Sequence, residues 1–503
     1  MGITLRAVKG SALSYAEADE NFSSLFFSAS YSGTDLYLHY TSSAYTPTPN
    51  PVQIPLQGSK WTDIVGGNIQ RTSDVYVTGS ILGTTKVTIG ATQTNTGTLS
   101  SIVGGCLHTV AGNNTATLGG RCNNLTGNYS TIVGGNRNCN TGCLTTIGSG
   151  ENLSNSGNVS VIAGGCSNIN SGSYSSIGGG LANINTSDYS TIVGGHCNKV
   201  YTVSPYSTVG GGQYNAASGS WSTINGGSNN QTRYTHSTVG GGDSNEAIQS
   251  YSTIAGGTSN ITLGTSSTVG GGDSNTASGE CSIVGGGDSN TASGRQATVG
   301  GGISNIACEN HATVAGGFYN SATSPDTTIA GGYCNLTSAE NATIGGGANN
   351  IASQINSTVG GGILNGARDY HTTVAGGCCN TALGIGSAVA GGVQNLSSGT
   401  YSGILGGSQN QALASYSGVV GGQCNTACHN KAFILGSDIT TTKQCTAYVN
   451  NLYVTGSTTT NGIMQLSRRE TTPTGEEGMI IASGSAGASK LYYYDGSTWN
   501  ALF

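Results

Sequence analysis

The 503-residue chain contains 85 Gly but only 16 Lys+Arg and 22 Asp+Glu, with a net charge of −6 and 35% hydrophobic residues. An ordinary soluble domain is roughly one quarter charged and about 7% Gly, so this is not a conventional enzyme surface over a conventional core. Only 7 Pro argue against collagen, and the shortage of charge argues against disorder driven by self-repulsion.

In chain order, residues 1–60 form a non-repetitive segment containing LRAVKGSALSYAEADENFSSLFF. Ser14 and Glu17 have the spacing of a capping box, which predicts a short amphipathic helix with Leu25 and the Phe residues on one side. Residues 61–100 are transitional, with Ile64-Val65-Gly66-Gly67 and the strand-like DVYVTGSI.

Residues 101–437 are a 15-residue repeat. From Ser267 the chain reads STVGGGDSNTASGEC, SIVGGGDSNTASGRQ, ATVGGGISNIACENH, placing Val269, Val284 and Val299 in one column. Taking that column as position zero gives 7 units from Ile102 to Ile192 and, after a two-residue insertion near Tyr201–Pro205, 16 from Val209 to Ile434. Thr117 is the one non-aliphatic member. Gly fills positions two and three almost throughout, as in Gly271, Gly272, Gly286 and Gly287. Asn fills position six in 20 of 23 units, including Asn275 and Asn290, and fails at His108, Leu153 and Thr440.

Ser-Thr-Val suits a pleated strand, and Gly and Asn accept the positive φ of tight corners. Each unit therefore predicts one turn of a coil with two short strands, and Gly and Asn at its corners. The fold class expected is an all-β solenoid of about 23 coils, a parallel β-roll, flanked by small non-repeat ends. At about 4.8 Å per coil it would form a rod on the order of 110 Å long. Alternation points position zero inward, and the eighth position is usually small (Ala277, Ala292, Ala307). Val plus Ala makes a thin core, which predicts side-by-side association into a homo-oligomer. The repeat stops after Ser437; residues 438–465 read as a neck, and 466–503 alternate strand patterns with Gly turns, as in a small β-domain.

The unit S-T-V-G-G-G-D-S-N-T-A-S-G resembles the head repeat of trimeric autotransporter adhesins of the YadA type, although its period is 15 and Asn replaces the usual Ser. That resemblance implies a left-handed parallel β-roll and a homotrimer. The N-terminal KGSALSYAEADENFSSL is similar to the opening of many bacteriophage tail-fibre and virion structural proteins, carried by Lys9, Gly10, Leu13, Glu17, Asp19, Asn21, Phe22 and Leu25. PTGEEGMI and LYYYDGSTW resemble the closing segment of phage fibres. An autotransporter would need an apolar secretory segment, a heptad stalk and membrane strands; MGITLRAVKGSALS and the polar tail offer none of these patterns. The expectation is accordingly a virion protein made in the host cytoplasm, with an N-terminal segment docked to other virion proteins. No stretch approaches the ~18 apolar residues of a membrane span.

Several residues invite a chemical reading. Asp273 and Asp288 share position four of neighbouring coils, so their carboxylates could pair as a weak cation site or as a glycosidase-like dyad. Copying of the GGDSN unit into an exposed corner accounts for them more simply. The third position before zero runs Tyr174, Tyr189, Tyr206, Trp221, His236, Tyr251, which predicts a ladder of rings along one edge. It is either a platform for a host surface glycan or packing at a corner or subunit seam, and packing is favoured. Of the 14 Cys, five share position five (Cys122, Cys197, Cys334, Cys379, Cys424), and no C-x₂-C zinc spacing occurs. Reduced thiols are expected, with crosslinks between chains or coils the alternative. No basic stripe or phosphate loop points to nucleic acid or a nucleotide. No cofactor, metal or catalytic residue is expected. The expected function is a structural fibre subunit of a phage virion, with a host glycan or protein as potential partner. A trimeric cell-surface adhesin or filament subunit is the first alternative, and a polysaccharide-depolymerising tailspike the second.

Overall fold

The computed structural model describes residues 27–32, 35–40, 52–55, 61–64, 68–71, 86–90, 92–450, 468–469, 480–483, 490–494 and 497–501. The helix expected near Ser14 and the N-terminal motif residues Lys9, Gly10, Glu17, Asp19, Asn21 and Phe22 lie outside these residues. The chain divides into two compact units, Met1–Asn356 and Ser357–Phe503. Among the described residues the structure is all-β with no helix, a parallel β-solenoid of about 24 coils of roughly 15 residues each.

Each coil contributes two two-residue strands, and each strand pairs in parallel with the strand one coil away. Thr268–Val269 pairs with Ile283–Val284, and Thr276–Ala277 with Thr291–Ala292. In the first unit one sheet runs from Lys86–Thr88 to Thr343–Ile344 and the other from Thr94–Asn95 to Ile351–Ala352. The same two-sheet pattern occurs in the second unit, from Thr358–Val359 through Phe433–Leu435 to Ala447–Val449 and from Gly366–Ala367 to Thr426–Ala427. Position zero points inward as the alternation requires: Val269, Val284 and Val299 are fully buried, as are Ala277, Ala292 and Ala307 at position eight. Ser267, two residues before zero, is also buried, and its hydroxyl closes the corner by donating to the Gly264 carbonyl at 2.6 Å.

The fourth inward position corrects the sequence reading. Asn275 does not sit at a corner with positive φ; it is fully buried and points into the coil. Its Nδ2 donates to the carbonyls of Gly271 (2.9 Å) and, one coil on, Gly287 (2.8 Å). Its Oδ1 accepts the backbone N–H of Asn290 at 3.0 Å. Asn290 repeats the pattern with Gly286, Gly302 and Asn305. A buried amide with both donors and its acceptor engaged is stabilising, whereas a half-satisfied one would be costly. Gln93 and His108 keep the acceptor in the absence of Asn: Gln93 Oε1 accepts from His108 N and His108 Nδ1 from Asn123 N, at 2.9 and 3.2 Å, whereas Leu153 fills the position with an apolar side chain. Burial holds the His108 pKa below the ordinary histidine value, which suits an accepting ring nitrogen. Thr117 at position zero is buried with its hydroxyl unpartnered, a local cost of about 1–3 kcal/mol.

The position-three glycines take the expected positive φ, as Gly257 at +90° and Gly272 at +89°, and further left-handed residues fall at two positions where the sequence varies most. Position five and the third residue before zero adopt φ between +52° and +64° whatever their side chain: Cys122, Tyr214 and Ser274 at the first, Tyr174, Trp221 and Cys281 at the second. Left-handed φ turns the N–H of each toward the preceding coil, so that Ser274 N donates to Thr258 O and Cys281 N to Thr265 O. The flanking residues donate forward, as Asp273 N does to Gly287 O. Position four thereby forms a third axial ladder of single bridges, including Asp273 with Asp288. The two-residue insertion is absorbed at one corner, where Val203 is 76% exposed, while Ile192 still pairs with Val209 and Lys199 with Ala216.

Outside the coils, Phe27–Ser32, Asp35–Tyr40 and Val52–Pro55 form an antiparallel sheet, and Trp61–Ile64 pairs with Asn68–Arg71. Ile480–Ser483, Lys490–Tyr494 and Trp499–Ala501 form an antiparallel meander, with Arg468–Arg469 parallel to the first of them.

The two repeat glycines have different tasks, which gives a sharp test. A Cβ on Gly256 would meet nothing within 4 Å, whereas one on Gly257, at φ +90°, would overlap the Gly272 carbonyl oxygen. Gly256→Ala should change local stability by no more than ~0.5 kcal/mol, and Gly257→Ala should cost at least ~2 kcal/mol. Hydrogen exchange of the amides across residues 255–275 reads both.

Candidate functional site

The aromatic column forms where the left-handed corners stack. Tyr174, Tyr189, Tyr206, Trp221, His236 and Tyr251 take φ of 55°, 55°, 62°, 52°, 58° and 59°. Each backbone N–H donates to the preceding coil, for example Trp221 to Pro205 O at 2.9 Å and His236 to Ser220 O at 2.9 Å. With the backbone fixed this way, successive rings lie face to face. Centroid separations are 4.9, 4.9, 5.0, 5.3 and 4.8 Å, and interplanar angles do not exceed 12°. All six residues are exposed, the five Tyr and Trp side chains at about half their area.

The ladder inferred from the sequence is therefore present, and its geometry narrows its use. A sugar ring packs on an aromatic face, but in this stack each inner face is covered by the next ring. Ring edges meet solvent, and within this stack only the outer faces of the terminal rings, Tyr174 and Tyr251, are not covered by another ring. Each stacked pair contributes roughly 0.5–1.5 kcal/mol, comparable to the ~1–2 kcal/mol cost of a left-handed non-glycine residue. The stack is thus of the right size to offset the corner strain. A shorter pair, Tyr401 and Tyr416, occupies the same column in the second unit at 5.5 Å.

The acidic column is less organised. Asp273 and Asp288 do sit opposite one another in adjacent coils, with Asp243 two coils before Asp273, and all three are exposed. Each carboxylate accepts from the hydroxyl of the next residue, Ser244, Ser274 or Ser289, at 3.2, 3.0 and 2.7 Å. Among the described residues no group of three or more His, Cys, Asp or Glu side chains comes together to hold a metal ion. All fourteen Cys are free thiols. Cys378 and Cys379 bring their Sγ atoms within 3.1 Å, and this contact, with burial, raises the Cys379 pKa above the usual thiol value. No helix among the described residues is long and apolar enough to cross a membrane.

One surface escaped the sequence reading. The residues just before and just after position zero point outward from the first sheet, and down the coils they are Thr, Ser, Ala, Gly, Val, Leu or Ile with few exceptions. The signal was in the repeat, in two columns adjacent to the one that set its register.

No protein-family model matches the chain, and no curated protein matches it significantly. The class is accordingly defined by the fold: a parallel β-solenoid protein whose inner positions are spent on stacking one coil on the next.

If the rings act mainly by stacking, Trp221→Ala should remove two stacked pairs and cost roughly 1–3 kcal/mol locally. Tyr129→Ala, in the same column between Asn114 and Leu144, should cost less than half of that. Exchange rates of the amides at residues 221 and 236, compared with those at 129 and 144, measure the difference.

Proposed function

We propose that the chain is a non-enzymatic structural subunit of a bacteriophage virion appendage, a tail fibre or a related projection, assembled as a homotrimer. Its N-terminal segment would join other virion proteins, the coils would form a shaft, and the C-terminal segment would close the fibre, with a host glycan or protein as its contact. The observation that carries this reading is the allocation of side chains: the inward residues Val269, Asn275 and Ala277 and their counterparts are buried where coil meets coil, Ser267 closes its own corner, and the acidic and aromatic columns stay on exposed corners. Both chain ends, by their similarity to phage fibre segments, support the same reading. A trimeric adhesin would use the same shaft, and the repeat's likeness to YadA-type heads is what favours it as the second reading.

The thin core supplies the case for association. Val and Ala bury little apolar area per 15 residues, at roughly 25 cal/mol per Å², and a neighbouring copy would add to it. Native mass spectrometry of the full-length protein should give three times 50.2 kDa. A species of 50.2 kDa at micromolar concentration would reject the trimeric fibre.

A further inference from the structure

Within the first unit, 17 coils present thirty-four outward positions on the first sheet, the residues immediately before and after position zero. None is charged, and Asn225 is the only one larger than Thr that is polar. The 15 Asp, Glu, Lys and Arg residues between positions 92 and 356 all lie elsewhere. Lys199, Arg233 and Glu246 project from the second sheet, where Arg233 and Glu246 pair along the axis at 3.4 Å. Asp273, Asp288, Glu280 and Arg295 lie at the corners, and Glu280 pairs with Arg295 at 3.3 Å.

The face has apolar as well as small members. Val103, Leu118 and Val133 stand in one column with 45–46% of their area exposed, and Val193 is 57% exposed in the same column. Thr223, Thr238, Thr253 and Thr268 form the column beside them, half-buried between their neighbours above and below. Across residues 357–436 the same two columns in the second unit are likewise free of charge, ending in Phe433 and Leu435.

We infer that the first-sheet face is where three copies of this chain meet, turned toward their common axis. This rests on the trimeric reading proposed above and adds to it which face is inside. Around a threefold axis a residue faces its own copies at the same height, so a charge there is set against itself. On any other face no such self-opposition is imposed, and the second sheet does carry charges, Lys199, Arg233 and Glu246. An axis-facing sheet must therefore be uncharged along its length, and small Gly, Ala and Thr side chains let three sheets approach closely. The area is sufficient: 17 coils at about 4.8 Å and a face about 10 Å wide give on the order of 800 Å² per copy, what a stable interface buries on each partner.

The test places the same pair of charges on either sheet of the full-length protein. Thr253→Asp with Thr268→Asp loads the first sheet; Thr276→Asp with Thr291→Asp loads the second at equally half-buried outward threonines one coil apart. The concentration of half-dissociation, followed by mass photometry, should rise at least tenfold for the first pair and less than twofold for the second. A benzophenone photo-crosslinker replacing Thr268 should yield covalent dimers and trimers, and one replacing Thr291 should not, which keeps the test intact if an Asp pair prevents folding. A wild-type trimer that crosslinks from 291 but not from 268, or that is weakened equally by both Asp pairs, would overturn the face assignment and leave the trimer standing. A wild-type monomer would remove both.

Discussion

Everything in this molecule depends on hydrogen bonds that run along the coil axis. A 15-residue turn cannot enclose a core of its own, so each coil is held by what it shares with the coils before and after it. The backbone supplies most of that link, and the buried Asn side chain supplies the remainder. Asn275 bonds the Gly271 carbonyl of its own corner, the Gly287 carbonyl of the next and the Asn290 amide. Position three must then be Gly, because a Cβ on Gly272 would strike both the Gly287 carbonyl and the Asn275 amide that makes this bond. One side chain thereby explains the two most regular features of the repeat and, through the glycines, much of the composition.

Low charge follows from the same geometry. Identical coils place like residues about 4.8 Å apart in columns, where repeated charges of one sign repel. Some of the charges that remain are paired with an opposite one, as Arg233 with Glu246 and Arg295 with Glu280, while Asp273 and Asp288, one coil apart, lie at an exposed corner. Stacking works in the opposite sense for rings, which gain by repetition. Tyr174 to Tyr251 occupy a corner whose φ is unfavourable for any non-glycine residue, and the gain from ring on ring is of the size needed to offset it.

Much of the fold was legible because periodicity is a strong signal. The register, the inward zero and eighth positions, the two short strands per turn and the ring column all follow from spacing. The role of Asn did not, because Asn is equally a corner residue with positive φ and a buried ladder residue, and a single unit does not distinguish them. The glycine corners were legible, but the left-handed residues at position five and three before zero were invisible for the opposite reason. Tyr, Trp, Cys, Ser and Gln occupy them interchangeably, since the axial bond made by the N–H, and not the side chain, selects the conformation. The ring column was legible as a ladder, but whether its faces are open was not, because that depends on ring orientation at each corner. The uncharged face was present in two columns of the repeat and becomes meaningful only once it is known which residues point outward.

The buried Asn locks one coil to the next. In Asn275→Ala the Asn290 amide loses its acceptor and the Gly271 and Gly287 carbonyls lose a donor, a loss of about 1–3 kcal/mol. Hydrogen exchange at the Asn290 amide, measured in the full-length protein, should accelerate by about tenfold or more while amides several coils away keep their rates. An unchanged rate at Asn290 would contradict it.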